Sequence, residues 1–223
     1  MTRMKRIIIL CAAVLSMVCL KTAPVHAFGL GLFGHFDGGK MIWEGYGANF
    51  MNYGGGFVMD TNLASNQVFN YRMELSFTNL HTPYQGKALN PLTTILYWVF
   101  TGIPSPQYDS KTYYEDSLAM TTVHYFGFGV VRSKHVRFWL GPQITFGGML
   151  TNLTGLYAGL GFAMGLNFNI GDVFTLSLVG AGRFLGGGRF YTYQGVTYTT
   201  GGYGGDGMVT LAFIFRIPGD KYK

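Results

Sequence analysis

The stretch LYAGLGFAMGLNFNI, residues 156–170, decides the fold. Its even positions are Leu156, Ala158, Leu160, Phe162, Met164, Leu166, Phe168 and Ile170, and its odd positions are Tyr157, Gly159, Gly161, Ala163, Gly165, Asn167 and Asn169. A period of two held this long makes a β-strand with one bulky apolar face and one small or polar face.

Three more segments repeat the pattern. Phe69, Tyr71, Met73, Leu75 and Phe77 oppose Asn70, Arg72, Glu74 and Ser76. Val136, Phe138, Leu140, Ile144 and Phe146 oppose Arg137, Trp139, Gly141, Gln143 and Thr145. Val209, Leu211, Phe213, Phe215 and Ile217 oppose Met208, Thr210, Ala212, Ile214 and Arg216. Runs at about 28–37, 50–60, 118–131 and 173–184 alternate less cleanly, because glycines blur the pattern or a bulge shifts it. Eight strands are expected.

The connections fall into two classes. Those at about 61–66, Ser133–His135 and Gly171–Asp172 are short, and those at about 38–49, 81–117, 149–154 and 185–205 are mostly longer. Short turns at one end and long loops at the other are the layout of a bacterial outer-membrane barrel, with the turns and both chain ends in the periplasm. No later segment has the roughly 18 consecutive apolar residues of a helical span.

Composition decides which face looks out. Of the 223 residues 48% are hydrophobic and only 12% charged, against roughly 25% charged in an ordinary soluble domain. A soluble barrel such as a lipocalin needs a charged, wetted exterior. Here the non-bulky face is Gly, Ala, Ser, Thr and Asn with isolated charges, which suits the narrow lumen of an eight-stranded barrel. The bulky face is therefore expected to meet lipid, and closure satisfies every backbone group in hydrocarbon.

Residues 1–27 read as a secretory signal. Arg3, Lys5 and Arg6 precede an apolar run of 14 from Ile7 to Leu20, and Val25-His26-Ala27 is a small-x-small cleavage site, so the mature chain would begin at Phe28. Both cysteines, Cys11 and Cys19, fall inside it, which leaves no disulfide in the mature protein. The leader also carries Lys21, so four of the 16 Lys and Arg go with it and 12 remain against 10 Asp and Glu. No basic, aromatic-interleaved patch survives, which argues against nucleic acid as a partner. The domain layout is then a signal peptide over 1–27, a barrel over 28–217 and a periplasmic tail over 218–223.

With these residues in place the chain resembles the superfamily of small outer-membrane β-barrels typified by OmpA, OmpX and OmpW. The resemblance covers about 28–217 and rests on pattern. Leu211, Phe213 and Phe215 look like the C-terminal signal read by that superfamily's assembly machinery, although the family usually ends on an aromatic and this chain runs on from Pro218 to Lys223. The resemblance implies the outer membrane as location, and its lipid and assembly machinery as partners.

The inward set contains Asp60, Arg72, Glu74, Arg137, Arg183 and Arg216. A buried carboxylate must be paired, so Glu74 is expected to meet an Arg from a facing strand in a polar lumen plug. Aromatics near strand ends, Phe69, Tyr71, Phe138, Trp139 and Tyr157, are candidates for interfacial girdles. The segment Leu92, Ile95, Leu96, Trp98, Val99, Phe100 and Ile103, between Pro91 and Pro104, is an apolar patch in the 81–117 loop, of the kind that marks a contact site. The tyrosine-rich 185–205 loop resembles an adaptable recognition surface. An extracellular ligand or protein could meet either loop.

No catalytic, cofactor or metal site is expected. The histidines lack ligand spacing. The glycines of Leu178–Gly182 followed by Gly186 imitate a dinucleotide fingerprint without a helix to follow. Ser76, His124 and Glu74 could form a hydrolytic group only if two registers shifted. The sequence thus points to an integral barrel with a structural or surface-interaction role; a narrow channel for small or apolar solutes is the alternative, and a lipid-modifying enzyme comes third.

Overall fold

A computed structural model describes residues 28–43, 46–61, 63, 67–85, 112–150, 154–193 and 196–217. The strands are β1 (Phe28–Trp43), β2 (Tyr46–Thr61), β3 (Phe69–Gln85), β4 (Thr112–Arg132), β5 (Val136–Met149), β6 (Thr154–Ile170), β7 (Phe174–Tyr193) and β8 (Val196–Ile217). Each pairs antiparallel with its neighbours in sequence, and β1 pairs with β8 from Phe28↔Ile217 to Trp43↔Gly202, which closes the barrel. The expected eight-stranded antiparallel up-and-down barrel is the fold observed.

The alternation sets the faces. Along β6 the odd side chains turn inward while Leu156, Leu160, Phe162, Met164 and Ile170 stand exposed outside. The same apolar exterior continues around the barrel, for example at Leu32, Phe57, Phe77, Phe128, Phe146, Phe184 and Phe215. At outward strand positions with described side chains the one charged residue is Lys40, near the end away from the turns. A bulge sits where β4 alternates poorly: Gly129 pairs Trp139, then Val131 pairs Phe138, leaving Val130 extra. Beyond the bulge the inward and outward phases of β4 exchange.

The short turns match expectation, including Gly171 at φ 58° between β6 and β7. The long loops need correction. β1 continues to Trp43 and β2 starts at Tyr46, so 38–49 is almost wholly ladder. β7 runs to Tyr193 and β8 starts at Val196, so 185–205 is a hairpin. β3 and β4 likewise extend to Gln85 and back to Thr112, into the expected 81–117 loop. Ladder hydrogen bonds join backbones and need no apolar alternation, so Gly-, Thr- and Tyr-rich sequence pairs as well as the greasy runs do. The apolar patch from Leu92 to Ile103, the leader and residues 218–223 lie outside the described residues.

Candidate functional site

The lumen is built in levels. At the turn end Leu63, fully buried, folds in from the β2–β3 connection against Phe33, Val58, Ala212 and Ile214. Arg137 donates to Gln67 O at 2.9 Å, Val68 O at 3.1 Å and Asn70 Oδ1 at 3.3 Å, and Arg216 donates to Gly171 O and to Phe174 O at 3.1 Å. Asn169 donates to Lys134 O at 3.2 Å. These cationic and amide groups seal three turns by filling carbonyl acceptors there, so Arg137 and Arg216 tie the connections at this end to the barrel wall.

Above them lies a buried polar cluster. Arg72 grips Glu74 Oε1 through Nη2 at 2.6 Å and Nε at 2.9 Å, and reaches Ser177 Oγ at 2.6 Å on β7. Asp60 Oδ2 is 3.5 Å from Arg72 Nη1. Tyr125 donates to Glu74 Oε2 at 2.8 Å, and Ser177 to Asn167 Oδ1 at 2.6 Å. The Arg that Glu74 meets thus comes from its own strand and not a facing one, because residues two apart share a face.

Tyr125 also meets Trp139 edge to face, with ring centroids 5.8 Å apart, beside Val123, Ala163, Val179 and Met208. Trp139 is fully buried in the lumen and Tyr157 turns inward to Thr121, so neither belongs to an interfacial girdle. Gly165 makes this possible for Trp139: a Cβ there would collide with the indole ring.

A second ion cluster lies toward the far end. Arg183 binds Asp206 through both Nε, at 2.8 Å, and Nη2, and the same Nη2 meets Asp37 Oδ2 at 2.7 Å. Asp37 and Asp206 were hidden to sequence reasoning because both fell at the margins of expected loops. Extending the period of two, from Phe33 through His35 and back from Met208, would have found them. A cavity of about 50 Å³ sits here, floored by His35, Asp37, Arg183 and Asp206 and walled by apolar groups including Met41, Phe50, Leu80 and Met149.

The hydrolytic constellation is not assembled. Ser76 faces the lumen, with its Oγ 3.3 Å from Thr78 Oγ1, whereas His124 lies on the outward face, where its Nδ1 is 2.7 Å from Tyr71 Oη. One barrel wall separates them. The outward Tyr71–His124 pair is screened by Phe126 and Phe146, whose rings lie 5.7 Å from Tyr71 and 6.2 Å from His124 respectively.

No protein-family model and no curated protein sequence matches the chain. Among solved structures it is similar to the outer membrane protein OprG from Pseudomonas aeruginosa, at 7% identity and TM-score 0.45, covering 86% of this chain and 96% of that one. It is also similar to Neisserial surface protein A, at 9% identity and TM-score 0.38 over 82% and 97% of the two chains. A third is Ail, the attachment invasion locus protein of Yersinia pestis, at 10% identity and TM-score 0.35 over 85% and 99%, solved in complex with the heparin analogue sucrose octasulfate. These neighbours are small outer-membrane barrels, the kind of protein the sequence pattern resembles. At such identities and scores they add nothing to the barrel that its own ladders define.

Proposed function

We propose that the protein is an integral outer-membrane β-barrel with a closed lumen, acting as a structural or surface-interaction protein at the end away from its short turns. The observation that carries this reading is the pairing of a continuous exposed apolar exterior with a lumen filled by fully buried side chains, Leu63, Arg72, Tyr125, Trp139 and Ile214 among them. Soluble monomers rarely expose apolar patches beyond a few hundred Å², and strands of 14–22 residues exceed the roughly 9–11 that a bilayer needs. The surplus projects as hairpins, on which the 86–111 connection with its apolar Leu92–Ile103 segment is the surface for an extracellular ligand or protein. On this reading residues 1–27 are a leader removed between Ala27 and Phe28, Leu211, Phe213 and Phe215 serve recognition by the assembly machinery, and 218–223 form a periplasmic tail.

The test combines two measurements on the mature protein. Its electrophoretic mobility in SDS should shift on boiling, since closed membrane barrels resist SDS until heated, and planar bilayers holding it should stay silent. Steady conductance would replace the closed-lumen reading with the narrow channel. A chain that stays soluble in the periplasmic extract without a shift would make it a soluble barrel.

A further inference from the structure

We propose that the cavity above the polar plug binds a small organic cation, a primary ammonium on a short apolar body, with Asp37 as its anchor. This adds a site inside the barrel to the reading of the protein as a closed-lumen structural or surface-interaction protein, and it rests on that reading.

The charge count points to the sign. Arg183 is a single cation shared between two carboxylates, and it is already committed to Asp206 through Nε and Nη2. Asp37 receives one bond, from Arg183 Nη2 to Oδ2 at 2.7 Å, and its Oδ1 has no hydrogen-bond partner although the side chain is only 6% exposed. A buried carboxylate oxygen without a donor is costly, and a donor that brings positive charge removes both deficits.

The other ionisable groups facing the cavity are occupied. Glu74 is held by Arg72 and Tyr125, Tyr157 by Thr121, and His35 Nε2 lies 3.2 Å from Thr78 Oγ1. Gly39 lets β1 and β8 approach closely beside Asp206: a Cβ there would collide with Gly205 O and the Asp206 backbone.

Size and walls define the rest of the ligand. A cavity of about 50 Å³ has room for roughly four water-sized positions, the heavy-atom count of propylammonium. Met41, Phe50, Leu80, Met149 and Leu185 give the alkyl part an apolar wall opposite the charged floor. Methionine adapts to a varied apolar body better than a branched residue.

The test is a titration of the detergent-solubilised barrel with propylammonium chloride, read from the amide resonances of Asp37, Gly187 and Asp206, with sodium propionate and sodium chloride as parallel titrants. Propylammonium should give saturable shifts, the two sodium salts none, and Asp37→Asn should weaken binding at least about tenfold, the loss of one charge-assisted contact. Saturation by propionate would make Arg183 an anion anchor and overturn the proposal. Equal displacement of propylammonium by sodium, unchanged affinity in Asp37→Asn, or no binding by the wild type would overturn it too. If Asp37→Asn loses the heat-dependent shift of the barrel, Met149→Phe, which keeps every charge and narrows the wall, should lower the affinity instead, and unchanged affinity there would count against the site. Bilayer conductance is read separately, so a barrel that conducts and one that does not bind are distinguishable.

Discussion

Arg72 and Glu74 sit two residues apart on β3, and the guanidinium closes on its neighbour's carboxylate with Nη2–Oε1 at 2.6 Å and Nε–Oε1 at 2.9 Å, both side chains buried. The pair is the crossbeam of the lumen. Arg72 also holds Ser177 across the barrel at 2.6 Å, and Tyr125 holds the other oxygen of Glu74 at 2.8 Å.

Removing one end of that beam leaves charge uncompensated. Arg72→Ala strands the carboxylates of Glu74 and Asp60 and is expected to cost about 3–5 kcal/mol, the usual consequence of breaking a buried pair. Glu74→Gln keeps the shape and most of the hydrogen bonding, and should cost less. Equilibrium unfolding in urea from lipid vesicles reads both, and an Arg72→Ala variant within about 1 kcal/mol of wild type would refute the crossbeam role.

Leu160 is 66% exposed on the outward face of β6. In a bilayer that exposure is to hydrocarbon, so Leu160→Arg should destabilise the inserted barrel by roughly 2–4 kcal/mol. Normal assembly of this variant, judged by the heat-dependent mobility shift, would mean that this face does not meet lipid.

Gly165 and Gly180 look alike in sequence but face different surroundings. A Cβ at Gly165 collides with Trp139, whereas one at Gly180 meets nothing within 4 Å. Gly165→Ala should therefore cost about 1–3 kcal/mol by overpacking and alter the emission of the buried indole, while Gly180→Ala should be close to neutral. Equal effects at the two positions would contradict the packing described.

Arg216 closes the β6–β7 turn through the carbonyls of Gly171 and Phe174. Arg216→Ala leaves acceptors at a partly buried turn and should cost about 1.5–3 kcal/mol, in line with hydrogen bonds to charged groups. Hydrogen exchange should speed up at Phe174 and its neighbours while the middle of β6 stays protected. Uniform acceleration along the barrel would show the effect to be global and not local to the turn.

Strand number and facing were legible in the residues themselves. The alternation of Leu160, Phe162 and Met164 with Gly161, Ala163 and Gly165 is a local property of the chain, and a period of two fixes both the strand and its faces. The inward positions of Asp60, Arg72, Glu74, Arg137, Arg183 and Arg216 follow from the same count. What each meets does not, because partners come from positions remote in sequence. Arg183 finds Asp37 across the β8–β1 closure, 146 residues away in the chain. Arg137 and Arg216 bind carbonyl oxygens, which every residue carries and no sequence pattern marks. The Gly- and Tyr-rich hairpins read as loops for a related reason: their pairing is made by backbone groups on the neighbouring strand, and Gly204 is ladder because Met41 lies beside it. Sequence by itself determined a barrel with a greasy outside and a small, polar inside. Only closure of β1 on β8 decided which charges share a cluster, where the lumen fills and where a cavity with an unpaired carboxylate oxygen is left, since those depend on register between strands and not on order along one.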